Sequence, residues 1–158
     1  MSVKTKIPFL CTANSCRSQM AEGFLRHHHK DRFNVYSAGA KPTLVHPLTV
    51  HVMAEMGIDI SKQSSKSIRE FFSLDFGYVI TLCGEDAKDL CPVFPGRART
   101  RLHWDFADPA QAEGKQKEVV EVFRKIRDEI NTKIDQFVKE LEKERKPWVT
   151  CSVIRRKY

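Results

Sequence analysis

Short apolar runs recur along this chain at the length of buried β-strands. Residues 78–83 are the clearest of them, because the run is continuous and rich in β-branched residues. Three further segments are predicted to be strands, at residues 6–11, 33–37 and, more briefly, around 102–104. Pro8 lies inside the first run. Since a proline cannot donate a hydrogen bond to a neighbouring strand, we expect a β-bulge at that position.

The segments between these runs have the 3.6-residue periodicity of helices. One helix is predicted over residues 17–28, a second from about Pro47 to Gly57, and a short third around residues 67–74. The last helix is the longest, and its apolar face comprises Val119, Phe123, Ile126, Ile130, Ile134, Phe137, Val138 and Leu141. We expect Pro147 to end this helix.

Strands that alternate with helices predict an α/β fold. We expect a single-domain four-stranded parallel sheet with helices on both faces and flavodoxin-like winding. The domain is predicted to span residues 1–146, followed by a tail of unknown role at residues 147–158. In such sheets ligands bind beyond the carboxyl ends of the strands, which is where Cys11 would lie.

Residues 11–18 read Cys-Thr-Ala-Asn-Ser-Cys-Arg-Ser, and a Cys-x5-Arg loop between a strand and a helix can hold an oxyanion. A helix that begins near Arg17 directs unpaired N–H groups and the positive end of its dipole at the loop. The same field favours the thiolate of Cys11, a candidate nucleophile. The predicted oxyanion-binding residues are Thr12, Ala13, Asn14, Ser15, Cys16 and Arg17. A buried structural cysteine beside a surface arginine is the alternative.

Composition and charge exclude several classes of function. With 158 residues, 41% hydrophobic and 30% charged, the chain is typical of one soluble globular domain. It has no apolar stretch near the roughly 20 residues of a membrane helix and no signal-peptide core, so we expect a cytoplasmic protein. The net charge of +7 comes partly from a basic tail, without a basic stripe interleaved with aromatics. We therefore expect binding to neither nucleic acid nor membrane, and separately we expect a monomer.

The remaining cysteines allow two interpretations. No pair among the five has zinc-binding spacing, and we expect neither a metal nor a cofactor. Cys83 closes the clearest strand and could lie at the same edge as Cys11, while Cys91 follows across a short polar segment predicted to be a helical turn or a mobile loop. A thiol on such a segment could resolve a disulfide formed at Cys11. Equally, Cys83 could be a buried strand cysteine and Cys91 an incidental loop thiol.

Asp108 is the third candidate for chemistry. It precedes Pro109 in a segment that follows the last predicted strand. An aspartate held in a loop over the oxyanion site could act as a general acid or base. Asp-Pro is also a common turn sequence, so the dipeptide by itself leaves both interpretations open.

Taken together, these segments resemble the arsenate reductases of the low-molecular-weight tyrosine phosphatase fold that use thioredoxin as reductant. The resemblance extends from about Lys6 to Val138. The matching motifs are Cys-Thr-Ala-Asn-Ser-Cys-Arg-Ser-Gln-Met-Ala-Glu-Gly at 11–23, Tyr-Ser-Ala-Gly at 36–39, Thr-Leu-Cys at 81–83, Cys-Pro at 91–92 and His-Trp at 103–104 leading to Asp-Pro-Ala at 108–110.

The resemblance implies a role for each residue of the first step. Cys11 would attack arsenate, whose oxygens are bound by Arg17 and the loop amides. Ser18 would hydrogen-bond the sulfur and keep it ionised, and Asp108 would protonate the leaving hydroxide.

It also implies how the electrons reach arsenic. Cys83 would attack Cys11 and expel arsenite, and Cys91 would then attack Cys83. The resulting Cys83–Cys91 disulfide would be reduced by thioredoxin. The alternatives are a low-molecular-weight protein tyrosine phosphatase that hydrolyses aryl phosphates, or a module that binds oxyanions or senses redox state without catalysis.

Two departures from the family pattern bear on the site. The spacing between Cys83 and Cys91 is one residue longer than in the family members that the chain resembles. Some members also hold a potassium ion beside the loop with an Asn, a Glu, a Ser and an Asp. Asn14, Glu22 and Ser37 match three of these positions, and Lys66 stands at the fourth. We expect these residues to support the loop, the Lys66 ammonium to replace the cation, and activity to be independent of potassium.

Overall fold

The computed structural model describes residues 3–84 and 91–154, with side chains up to residue 144. Its strands are β1 (Thr5–Cys11), β2 (Phe33–Gly39), β3 (Phe76–Thr81) and β4 (Ala98–His103). Its α-helices are α1 (Arg17–His29), α2 (Pro47–Glu55) and α3 (Gln116–Ile154), and short 3₁₀ helices span Ile68–Phe71 and Pro109–Gln111.

The four strands form one parallel sheet in the order β2-β1-β3-β4, which confirms the predicted fold class. Cys11, the last residue of β1, pairs with Gly39, the last residue of β2. Leu10 pairs with Thr81, the last residue of β3. Three strand ends therefore meet at one edge of the sheet, and the segments that follow them share that edge.

Alternate strand residues divide the core into two clusters. On one face, the three α-helices pack against Phe9, Val35 and Ile80, and Phe24 of α1 and Phe123 of α3 are fully buried there. The opposite face holds a smaller, aromatic-rich cluster beneath the 3₁₀ helix Ile68–Phe71. Helices thus cover both faces as predicted. The period-2 alternation of β1 and β2 explains why each strand contributes to both clusters.

The predicted β-bulge at Pro8 is the first of two predictions about prolines that the structure contradicts. β1 pairs with β2 at every residue from Thr5 to Cys11, so the predicted bulge is absent. Pairing with β3 involves only Phe9 and Leu10, after the proline. The prediction failed because a strand proline removes one donor only, and that donor falls outside the paired stretch on the β3 side.

The second contradicted prediction concerns Pro147 and the end of the last helix. We expected it to end the last helix, but α3 continues to Ile154, so the helix runs into the segment that we assigned to a separate tail. A proline within a helix removes one i→i−4 hydrogen bond and bends the axis, and neither effect has to stop the helix.

Two other expectations concern the end of β3 and the segment that follows it. β3 ends at Thr81 rather than at Cys83, although the N–H of Leu82 still donates to the carbonyl of Leu10 at 2.8 Å. The helical turn or mobile loop expected between Cys83 and Cys91 lies, apart from Gly84, outside the described residues.

Within the described residues, no helix combines the length and the apolar character needed to cross a membrane.

Candidate active site

The loop between β1 and α1 turns its carbonyl groups toward the segment that follows β2. The backbone N–H groups of Ala40, Lys41, Thr43 and His46 donate to the carbonyls of Cys11, Thr12, Ala13 and Ser15, at 3.3, 2.8, 3.1 and 3.1 Å respectively. In a planar trans peptide, the N–H points away from the preceding carbonyl. The loop amides are therefore turned to the inside of the loop, the arrangement that binds an anion.

Cys11 lies at the centre of this loop and is almost fully buried. Its Sγ is 2.9 Å from the Oγ of Ser18 and accepts from the N–H of Asn14 at 3.3 Å. α1 begins at Arg17, so the positive end of its dipole faces the sulfur. Ser18, the N–H of Asn14 and the first turn of α1 thus surround the sulfur of the predicted nucleophile with polar groups.

Asn14 holds the loop in shape. Its backbone has φ of 51°, in the left-handed region that asparagine adopts more readily than most residues. Its side-chain amide donates to Ser18 at 2.7 Å and to Ser37 of β2 at 3.0 Å, and its Oδ1 accepts from the backbone N–H of Lys66 at 2.8 Å. One fully buried side chain thus joins the loop, α1, β2 and the segment before the first 3₁₀ helix.

Glu22 extends this network to a cation that sequence reasoning missed. Ser37 donates to Glu22 Oε2 at 2.5 Å, and Arg26 donates to Glu22 Oε1 at 2.6 Å. Glu22 is buried, and Arg26 also donates to the carbonyl of Val35. Arg26 lies four residues after Glu22 on α1, the spacing at which helical side chains meet.

Lys66 does not play the part that we predicted for its ammonium. Its Nζ donates to the carbonyl of Ser64 at 2.6 Å, and the residue contacts the loop through its backbone N–H, which donates to Asn14. The guanidinium of Arg26 balances the carboxylate of Glu22 instead. The prediction failed because alignment with a cation ligand gives a residue's place in the chain and not the direction of a long, flexible side chain. Independence of potassium stays a prediction.

Arg17 is held beneath the loop by carbonyl groups from two other segments. Its Nη1 donates to Leu82 at 3.2 Å and to Phe106 at 3.1 Å. Its Nη2 is 3.8 Å from Oδ2 of Asp108. The buried Nε has no hydrogen-bond partner among the described residues, so it is available to an anion.

Asp108 therefore lies at the site, as the sequence suggested. It precedes the 3₁₀ helix Pro109–Gln111, and its Oδ1 caps that helix by accepting from the N–H of Ala110 at 3.0 Å. The cap orients the carboxylate, and the side chain remains about 29% exposed. An oriented and hydrated carboxyl group can exchange protons with solvent, which a general acid needs.

The structure brings the second and third thiols together at the same edge. Cys83 is fully buried, and burial, followed by a hydrogen bond with Cys91, raises the pKa of its thiol to about 12. The positive charge of Arg17 lowers the pKa of Cys83, whereas the electrostatic interaction with Cys11 raises it. Cys83 thus lies beside Cys91 and within electrostatic reach of the loop. Cys91 is partly exposed and reduced.

Cys16 occupies the loop without facing solvent. Burial raises the pKa of its thiol to about 11, and the hydroxyls of Thr49 and Ser15 offset this only in part. Such a thiol is protonated at neutral pH and is a poor nucleophile. Its position as the cap residue of α1 indicates a role in shaping the loop.

Three more residues were missed and contribute to the loop from elsewhere in the chain. Gln19 and Ser65 both donate to the carbonyl of Asn14, at 3.0 and 2.6 Å. Gly39 lies so close that a Cβ there would be 2.7 Å from the carbonyl oxygen of Thr12. Only the glycine carried a sequence signal, in the Ser-Ala-Gly that ends β2. Gln19 lies within the motif at 11–23 but was given no role there, and nothing in the sequence distinguished Ser65 from other loop serines.

Comparison with known proteins agrees with this geometry. The family model for low molecular weight phosphotyrosine protein phosphatases matches residues 6–147. An arsenate reductase of Bacillus licheniformis is 50% identical over 137 residues, which cover 87% of this chain and 96% of that protein.

Two solved structures extend the comparison. A solved arsenate reductase in its phosphate-binding state has a TM-score of 0.72 at 33% identity, covering 86% of this chain and 98% of the other. A thioredoxin-dependent arsenate reductase of Corynebacterium glutamicum has a TM-score of 0.62 at 30% identity, covering 90% of this chain and 64% of the other.

Replacing Gly39 by alanine should displace the loop. The added Cβ would lie 2.7 Å from the Thr12 carbonyl oxygen and 2.8 Å from the Asn14 nitrogen, both backbone atoms that cannot move aside without moving the loop. We expect phosphate binding, measured by calorimetry, to weaken about tenfold or more. Gly77→Ala is the matched control, because its Cβ would mainly meet the side chain of Thr5. Unchanged phosphate binding in Gly39→Ala would contradict the packing described here.

Cys16 should make the stability of the fold depend on pH in the alkaline range. Its folded-state pKa of about 11 lies above the ordinary value of 9.0, so the protonated thiol favours the folded state. That contribution is complete below pH 9 and is lost as the pH rises toward 11, at a slope of up to about 1.4 kcal/mol per pH unit. Urea unfolding at pH 8, 9 and 10 should show a smaller loss in Cys16→Ala than in the wild type. Identical slopes would show that Cys16 does not contribute.

Replacing Arg26 by methionine should leave the carboxylate of Glu22 buried without its counter-charge. The free energy of unfolding should fall by about 1–2 kcal/mol. This loss is smaller than that for breaking a fully buried ion pair, because Arg26 is partly exposed and water can reach the carboxylate. Arg26→Lys keeps the positive charge and should lose less. Urea unfolding at pH 7 measures both, and equal stability of Arg26→Met and the wild type would show that Glu22 does not need this partner.

Proposed function

The chain belongs to the low-molecular-weight phosphotyrosine protein phosphatase family, and we propose that it reduces arsenate to arsenite through a relay of three thiols. The observation that carries this proposal is the position of Cys83, buried beside Cys91 and within electrostatic reach of Cys11 and Arg17. A phosphatase of this fold needs the loop cysteine, the arginine and the aspartate. It has no use for two further thiols at the same edge of the sheet.

The first step is nucleophilic attack on the bound oxyanion. The loop amides and Arg17 bind arsenate oxygens, and the sulfur of Cys11 attacks arsenic. Asp108 gives its proton to the departing hydroxide, which leaves as water. Ser18, 2.9 Å from the sulfur, supports the thiolate before the attack. The product is an arsenic(V) atom bound covalently to Cys11.

The second step transfers the electrons. The sulfur of Cys83 attacks the sulfur of Cys11, a disulfide forms, and the electron pair of the sulfur–arsenic bond stays on arsenic. Arsenic(V) thereby becomes arsenic(III) and leaves as arsenite. Because burial raises the pKa of Cys83 to about 12, its thiol has to lose a proton during this attack, and the charge of Arg17 favours that loss. A phosphorylated cysteine could not react in this way, since phosphorus is not reduced by a thiol.

The third step frees the nucleophile. The sulfur of Cys91 attacks Cys83, and Cys11 departs as a thiolate, so a Cys83–Cys91 disulfide remains. Cys91 is partly exposed, so this disulfide can be reached by a dithiol protein. We propose thioredoxin as that reductant, and the support is the likeness to a thioredoxin-dependent arsenate reductase.

The relay also bears on cofactor, oligomeric state and compartment. Every electron passes through a cysteine of this chain or of thioredoxin, so the reaction uses no cofactor and no metal. No step needs a second copy of the chain, nucleic acid or a membrane, and we propose a monomer. Thiols remain reduced in the cytoplasm, where we place the reaction.

Replacing Cys83 by serine should separate reduction from hydrolysis. We expect arsenate turnover to fall below detection, because no sulfur is left to attack Cys11. Hydrolysis of an aryl phosphate should stay within about twofold of the wild type, since it needs Cys11, Arg17 and Asp108 but not Cys83. Turnover is followed as NADPH oxidation in the presence of thioredoxin, thioredoxin reductase and arsenate.

Two controls sharpen this experiment. Cys151→Ser removes the fifth cysteine and should leave arsenate turnover unchanged. Omitting thioredoxin should stop NADPH oxidation by the wild type. The relay is wrong as drawn if Cys83→Ser still reduces arsenate, and the reductant is wrong if oxidation continues without thioredoxin.

A further inference from the structure

The chain that follows Cys91 is held against the sheet by Phe94. This side chain is only 2% exposed and belongs to the aromatic cluster on the second face. Its ring lies 5.3 Å from that of Phe76 in an edge-to-face arrangement and 6.1 Å from that of Phe72. Such contacts add to the free energy gained by burying the ring, so Phe94 is a fixed point in the segment.

Arg101 of β4 holds the same segment through its backbone. Its Nη1 donates to the carbonyl of Phe94 at 2.6 Å, and its Nη2 donates to the carbonyl of Gly96 at 2.7 Å. The guanidinium carbon is also 5.9 Å from the centre of the Phe94 ring. A planar guanidinium that binds two carbonyls and contacts a ring restrains both the position and the orientation of this turn.

This restraint reaches Cys91. Three residues of chain span at most about 10 Å, so a fixed Phe94 keeps Cys91 within that radius. Pro92, between them, is buried and restricts the backbone of the residue before it. Thr81, Cys91, Phe94 and Arg101 line one groove of about 340 Å³ beside the edge strand. Arg101 and the third thiol thus occupy the same part of the surface.

Cys83 is fixed independently, from the other side. It lies two residues after the end of β3, and the N–H of the intervening Leu82 donates to the carbonyl of Leu10 in β1. The thiols of Cys83 and Cys91 interact, so these two residues lie close together in the fold. Of the two ends, the Cys83 end belongs to the sheet itself, whereas the Cys91 end depends on the contacts of Phe94 and Arg101.

We propose that Arg101 is a positioning residue for Cys91 and sets the rate of the last thiol exchange. The inference rests on the relay proposed above. In that exchange the Cys91 sulfur bonds to the Cys83 sulfur, the Cys11–Cys83 bond breaks, and Cys11 leaves with the electron pair while the Cys91 proton passes to solvent. Without Arg101, Cys91 would spend less time within bonding distance of Cys83.

A single-turnover experiment tests this role. Reduced protein is mixed with arsenate in the absence of thioredoxin, quenched with a thiol-alkylating reagent, and its disulfides are assigned by peptide mass mapping. In Arg101→Ala we expect the Cys83–Cys91 disulfide to form about tenfold more slowly and the Cys11–Cys83 disulfide to accumulate. A residue with a general structural role would not cause that particular intermediate to accumulate.

Two further variants control for charge and geometry. Arg99→Ala removes the same charge from the same exposed face of β4 and should close the disulfide at the wild-type rate. Arg101→Lys keeps the charge but loses the two-pronged geometry, and its rate should fall between those of Arg101→Ala and the wild type. Aryl phosphate hydrolysis should stay within about twofold in all three variants, because it needs the loop and Asp108 but not the Cys91 segment.

An arsenate-free measurement separates the two proposals. Glutathione disulfide oxidises Cys83 and Cys91 by thiol exchange, and the rate of ring closure from the mixed disulfide is measured directly. If the wild type does not reduce arsenate, the relay is refuted. If the Cys83–Cys91 disulfide nevertheless forms more slowly in Arg101→Ala, the positioning role of Arg101 stands without the relay. Closure at the wild-type rate would overturn the positioning role, and so would an equal loss of closure and of aryl phosphate hydrolysis.

Discussion

The site depends most on the hydrogen bonds made by the buried side chain of Asn14. An isolated loop of eight residues has no reason to turn every amide inward, because its carbonyls would be as well hydrated on either side. Asn14 adopts a left-handed backbone and binds Ser18, Ser37 and the backbone of Lys66. The cost of that conformation is offset by hydrogen bonds made inside the protein, where unpaired polar groups are expensive.

The edge of a parallel sheet then explains how one site combines two kinds of chemistry. Oxyanion binding requires a rigid loop, and β1 and β2 supply it by ending side by side at Cys11 and Gly39. Thiol exchange requires sulfurs that approach one another in turn. Cys83 lies just beyond the end of β3, the other neighbour of β1, so the second thiol lies near the first without any long connection through the core. Cys91 then arrives from a segment anchored at the outer edge of the sheet.

Charge is distributed accordingly. Arg17 contacts the carbonyls of Leu82 and Phe106 and lies near Asp108, so it links the loop to the segments that carry the second thiol and the acid. Arg26 balances the buried Glu22 on the far side of the network. Two arginines on the same helix thus have different tasks: Arg17 keeps a buried Nε without a partner among the described residues, whereas Arg26 pairs with a buried carboxylate.

The sequence by itself determined the order of strands and helices, the oxyanion loop and the candidate acid, because hydrophobic periodicity and the Cys-x5-Arg motif are local patterns. Tertiary structure alone decided that Arg26 rather than Lys66 meets Glu22 and that Arg101 binds the turn after Cys91. It also decided that Pro8 fits an unbulged strand and that α3 passes Pro147. These outcomes depend on which groups the folded chain brings within bonding distance, and a residue's neighbours in sequence carry no record of that.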